Sequence, residues 1–214
     1  TLLTEARPSV ATSAAARKAA PVLEIADAPC EVLLSTTGRA IRVDLPEDGT
    51  ALAPARRRSR HDAIRSRVTT TSRTELGAIT STGRLIRMTA VALPSVPANS
   101  IQLAAGAKIT EYLAIGSKEK VLGIVRLDGE PIALGTRQGV VKRVATGGWP
   151  SKPDFEIIAL KPGDEVVGVA QGADSDELVF VTSDAQLLHF GASAVRPQGP
   201  SAGGMAGMNL GAQA

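Results

Sequence analysis

Arginine is the residue type whose placement in this chain could do chemistry, and it occurs in two patterns. In the first, a basic residue stands four positions after each of three recurring glycines, Gly38, Gly83 and Gly139, as Arg42, Arg87 and Arg143, with His189 in the same place after Ala185. Arg39 and Arg84 follow their glycines directly, and Arg137 and Lys142 flank the third. If these units are related by rotation, the side chains form a positive belt along one rim. The second pattern is the run 54–68, PARRRSRHDAIRSRV, which holds Arg56, Arg57, Arg58, Arg60, Arg65 and Arg67 against the single acid Asp62. Guanidinium forks pair with phosphate oxygens without reading base edges, so both patterns point to the backbone of a nucleic acid. A charged strand residue is also what any solvated face shows, and an arginine loop can serve solubility alone; recurrence in register favours the belt. Neutralising about 6–10 phosphates would weaken binding by about 10³–10⁵ between roughly 50 and 200 mM salt.

Other chemistries find little support. No phosphate loop of the form GxxxxGK[ST] occurs, and His61 and His189 lack metal-ligand spacing. Asp174, Asp176 and Glu177 read as a solvated turn. Cys30 is the only cysteine, so it can close no internal disulfide, and its place beside a strand start suggests a buried, inert thiol. The glycine-rich stretch 203–207 has no helix after it and reads as a relaxed strand edge. The five aromatic residues, Tyr112, Trp149, Phe155, Phe180 and Phe190, do not interleave with the arginines, which disfavours base stacking on single strands and favours a duplex. Trp149, between Gly148 and Pro150, reads as a loop anchor. No catalytic residue, metal or cofactor is expected in this chain.

The elements that must position these residues follow from a repeat. The segments Glu31–Asp44 (EVLLSTTGRAIRVD), Leu76–Thr89 (LGAITSTGRLIRMT), Pro131–Ala145 (PIALGTRQGVVKRVA) and Glu177–Gly191 (ELVFVTSDAQLLHFG) each read as a strand, a two-residue turn and a second strand. Their turn positions are 45, 56 and 46 residues apart, the period of a propeller blade, whose units are too small to bury their own faces. Two further apolar segments per unit, Glu156–Lys161 and Glu165–Gln171 in the clearest copy and Ile101–Gly116 more loosely, predict four strands per unit. The expectation is an all-β, propeller-like domain of about four four-stranded blades over residues 22–214, with repeats near 22–75, 76–125, 126–172 and 173–214, and residues 1–21 as a linker or tail. The 21 glycines and 13 prolines suit many turns. Charge is lopsided: residues 31–90 hold eleven Arg against six acids, while 150–214 hold three basic residues against eight acids. That asymmetry suggests a polyanion on one face. No segment approaches the roughly 20 apolar residues of a membrane span, so no membrane partner and a reducing cytoplasm are expected.

Four stretches carry a family resemblance: Leu134–Ala145, Phe155–Val169, Leu178–Phe190 and Val195–Leu210, in that order and spacing. They resemble the C-terminal β-pinwheel domain of bacterial type IIA topoisomerase A subunits, found in DNA gyrase and topoisomerase IV. The resemblance implies blades that exchange strands with their neighbours, a basic perimeter, and a domain that bends or wraps double-stranded DNA to present a segment for strand passage. It also implies a nucleoid-associated, ATP-dependent topoisomerase as the whole protein, in which this domain works with the remainder of the A subunit, together with an ATPase B subunit. Cleavage in that family lies in a separate region; Tyr112 here lacks the cleavage motif. Gyrases carry a QRRGGxG box in the first blade, whereas Ala55–Asp62 (ARRRSRHD) keeps the arginines and loses the glycines. That departure favours a topoisomerase IV-like subunit over a gyrase subunit that wraps DNA chirally. The family has five or six blades, and four are legible here. A protein-interaction propeller is the alternative of another class; it would need aromatic or apolar patches at loop tips.

Overall fold

The computed structural model describes residues 26–46, 61 and 63–210. The arginines at 56, 57, 58 and 60 and the expected tail lie outside the described residues. The first repeat contributes β1 (Pro29–Ser35), β2 (Arg39–Asp44) and β3 (Ile64–Thr71). The second contributes β4 (Glu75–Thr80), β5 (Arg84–Thr89), β6 (Ser95–Pro97), β7 (Ala107–Lys108), the short helix α1 (Ile109–Tyr112) and β8 (Val121–Arg126). The third adds β9 (Ile132–Thr136), β10 (Val140–Val144), β11 (Asp154–Glu156) and β12 (Val166–Gln171), and the fourth β13 (Glu177–Val181), β14 (Leu187–Gly191) and β15 (Met205–Ala206).

Each hairpin is set by local chemistry. A β-turn bond runs from the N–H of Gly38, Gly83, Gly139 or Ala185 to the carbonyl three residues back, at 3.0–3.1 Å. The hydroxyl of Ser35, Thr80, Thr136 or Thr182 then accepts the N–H that follows the turn, at 2.9–3.3 Å. The residue closing the turn has φ of +78°, +77°, +80° and +64° in the four copies. The expected two-residue turn is therefore one residue longer, because the left-handed residue adds a bulge that keeps the strands' twist in phase.

Sheets do not coincide with contiguous repeats. In the first three blades the hairpin's first strand is flanked by the last strand of its own repeat, and its second strand by a short strand from the next. The orders are β3-β1-β2-β6, β8-β4-β5-β11 and β12-β9-β10-β15, with β7 as a further short partner of β2. The fourth sheet is β13-β14 alone among the described residues. Four sheets are present among the described residues, and in the first three the strands of a blade come from two repeats. This relay joins neighbouring repeats and pairs the hairpin edges that would otherwise be left open.

The core lies between blades. Val32, Leu34, Leu76, Ala78, Met88 and Ile124 join the first two, and Ile79, Leu85, Ile132, Leu134, Val144 and Val166 the second and third. Two expected strand segments depart from this pattern. Ile101–Gly116 is a 3-10 turn, the two-residue β7 and α1, because Ile109 with Tyr112 and Leu113 presents a helical face to the first core. In the other, the strand is Asp154–Glu156 and stops before Ile157 and Ile158. Both are buried in the core between the second and third blades.

Candidate nucleic-acid interface

The residues four positions after each turn share a structural task. Arg42 donates to the Val91 carbonyl at 3.1 Å and pairs with Asp44 at 2.7 Å. Arg87 donates to the carbonyls of Pro150 (2.9 Å) and Lys152 (3.1 Å), pairs with Glu75, and lies 5.9 Å from the Phe155 ring centre. Arg143 donates to the carbonyls of Ala192 (3.0 Å) and Val195 (3.4 Å), and pairs with Asp174 at 2.7 Å. Apart from the Gly172 carbonyl, which Arg143 also reaches at 3.4 Å, these carbonyls belong to the crossover just after the following repeat's hairpin. These irregular segments have carbonyls that no ladder satisfies, and an arginine fork supplies several donors at once. Their side chains are 12%, 19% and 1% exposed, so the recurrence in register is that of an inter-repeat strut. His189, in the fourth copy, meets Glu177 at 2.8 Å.

Lys142 departs furthest from the expected rim. It is fully buried, and its ammonium donates to the carbonyls of Ile157 (2.8 Å), Pro200 (2.7 Å) and Ala202 (2.6 Å), with burial pushing its pKa down to about 8. Lys142 and Arg143 are thus both buried, not on the solvent-facing rim expected of them.

The remaining candidates among the described residues reach solvent. Arg65 and Arg67 stand exposed on β3; Arg65 has no partner among the described residues, and Arg67, 53% exposed, lies 3.6 Å from Glu31. Arg39 donates to the Gly106 carbonyl at 2.7 Å and has no acid partner among the described residues. Arg137 is 65% exposed beside Glu165. Arg84 is held by both Glu119 (3.1 Å) and Asp154, and the Asp154 hydrogen bond followed by both carboxylate charges raises its pKa further. Burial would raise the Glu119 pKa, but hydrogen bonds from Thr80 and Thr82 and the charge of Arg84 together hold it below the usual range. Sequence inspection missed these acids, which stand 35 and 70 residues from Arg84 with no local signal to link them.

The side features fall where local chemistry put them. Cys30 is buried, and burial pushes its thiol up to about 11. Trp149 donates to the Leu127 carbonyl at 2.5 Å and packs on Phe155. β15 pairs with β10, and a Cβ at Gly204 would sit 2.7 Å from the Val141 carbonyl. Among the described residues no group of His, Cys, Asp or Glu could hold a metal ion, and no helix is long and apolar enough to cross a membrane.

Comparisons with known proteins converge on one group. The family described as DNA gyrase C-terminal domain, beta-propeller, matches residues 176–212. The DNA gyrase A subunit of Mycolicibacterium smegmatis is 30% identical over 139 residues, covering 61% of this chain and 16% of that protein. The chain therefore matches about one sixth of the length of that relative. Among solved structures, the C-terminal domain of DNA topoisomerase IV aligns with a TM-score of 0.67 at 22% identity, over 88% of this chain and 59% of that one. The DNA gyrase A C-terminal domain aligns at 0.54 and 18% identity, over 86% and 61%.

Proposed function

As a C-terminal β-pinwheel domain of the bacterial type IIA topoisomerase A-subunit kind, this chain, we propose, binds and bends double-stranded DNA through sequence-independent phosphate contacts and so presents a segment for strand passage. The observation that carries this reading is the exposed pair Arg65 and Arg67 on β3, which continues directly from the arginines at 56, 57, 58 and 60. Six guanidinium groups within twelve residues suit a phosphate clamp on the first blade, with Arg39, Arg84 and Arg137 as secondary contacts at the turns. The whole protein is then part of an ATP-dependent topoisomerase, and its partners are the rest of the A subunit, plus an ATPase B subunit. The loss of the glycines in ARRRSRHD favours a topoisomerase IV-like role. The sequence kinship with gyrase A subunits favours the second reading, chiral wrapping.

Duplex binding measured across salt tests the first claim. Affinity should fall steeply with salt, and Arg65→Ala with Arg67→Ala should lower the slope of log K against log salt by about 2. Affinity indifferent to salt would remove it. Ligating relaxed plasmid on the bound domain separates the two roles: trapped supercoils of one sign mark wrapping, and unchanged linking number marks bending.

A further inference from the structure

We propose that Glu119 and Asp154 form a built-in phosphate mimic on Arg84, so that DNA gains the second blade only by displacing two carboxylates. The inference rests on the DNA-binding reading and concerns how that surface is regulated.

Arg84 opens β5 just after the turn at Gly83. Glu119 takes Nη1 at 3.1 Å, and Asp154 takes Nη2. Both outer nitrogens of the fork are therefore engaged by anionic oxygens, the arrangement a phosphate would make. Glu119 is itself anchored, since its other oxygen accepts from Thr82 Oγ1 at 2.5 Å. One guanidinium and two carboxylates leave the site at a net charge of −1, which repels a phosphate. Yet the site is reachable: Arg84 is 36% exposed and Asp154 45%, unlike the 1% exposed Arg143, so Asp154 is the carboxylate that yields first, while Glu119 is 12% exposed and held by Thr82.

The repeats set a contrast. The same slot in the first blade is Arg39, which bonds only the Gly106 carbonyl and has no acid partner among the described residues. The third blade has Val140 there. Asp154 reaches Arg84 on β11, the strand lent by the third repeat. The Asp154 half of the mask is thus a product of strand exchange, and among the described residues Arg84 is guarded by acids where Arg39 is not.

The test is duplex binding by the full chain across salt. Glu119→Gln with Asp154→Asn, which keeps one acceptor oxygen on each side chain but removes the charge, should raise affinity about tenfold and steepen the salt slope by about one. Either substitution alone should give an intermediate gain, which covers failure of the pair to fold. Adding Arg84→Ala should erase the gain. Glu130→Gln with Asp184→Asn changes net charge equally at acids that hold no arginine, and should give a much smaller effect. An equal gain in that control, or a gain that survives Arg84→Ala, overturns the mask while leaving DNA binding intact. Absence of duplex binding by every form overturns the DNA-binding reading and the mask together.

Discussion

Arg143 meets Asp174 at 2.7 Å with its own side chain 1% exposed, so a residue with the sequence signature of a rim contact is an internal strut. The same holds in milder form for Arg42 and Arg87. In each, the guanidinium crosses from one repeat to the crossover of the next, and the acid partner neutralises it on the way.

Replacing Arg143 with alanine should therefore unfold rather than unbind. Two crossover carbonyls lose their donor, which costs about 2–4 kcal/mol. Urea denaturation should show that loss, with duplex affinity of the folded fraction unchanged within about twofold. Weaker binding at undiminished stability would return Arg143 to the rim.

Lys142 makes stability depend on alkaline pH. Its amine titrates near 8 in the folded chain and near 10.5 when unfolded, so the unfolded form holds the extra proton between those values. Stability should rise over that window, by roughly 1–2 kcal/mol between about pH 8 and 9.5, and the cost of the buried charge is complete below it. Lys142→Met, followed by urea titration at both pH values, should lack the rise.

Glu119 acts at the opposite end. Its folded pKa lies below the ordinary 4.5, so its contribution is complete above that value and is lost as pH falls through the lowered one. Acid unfolding of Glu119→Gln should begin from lower stability at neutral pH and converge on the parent once the pH has fallen through the lowered value. Parallel curves at every pH would show the ion pair with Arg84 to be immaterial to folding.

The turns give a paired test. Ala185 holds φ +64°, a left-handed conformation that its Cβ disfavours, so Ala185→Gly should stabilise the fourth hairpin by about 1 kcal/mol. Gly139→Ala should destabilise by more than about 1 kcal/mol, because φ is +80° and the new Cβ would lie 2.5 Å from the Met208 carbonyl. Thermal melts of both variants read the difference.

What the sequence by itself determined is whatever local chemistry sets: four hairpins, their turn residues, the spacing of about 45 residues between most of them, the anchored Trp149 and the buried Cys30. Each of these depends on neighbours a few residues away or on a single side chain's hydrophobicity. Only the tertiary structure decided which strand completes which sheet and which arginines face water. Arg42 finds its carbonyl 49 residues on, and Arg143 finds one 52 residues on. At that range a strut and a phosphate contact are written with the same residue in the same register, and only the folded path of the next repeat tells them apart.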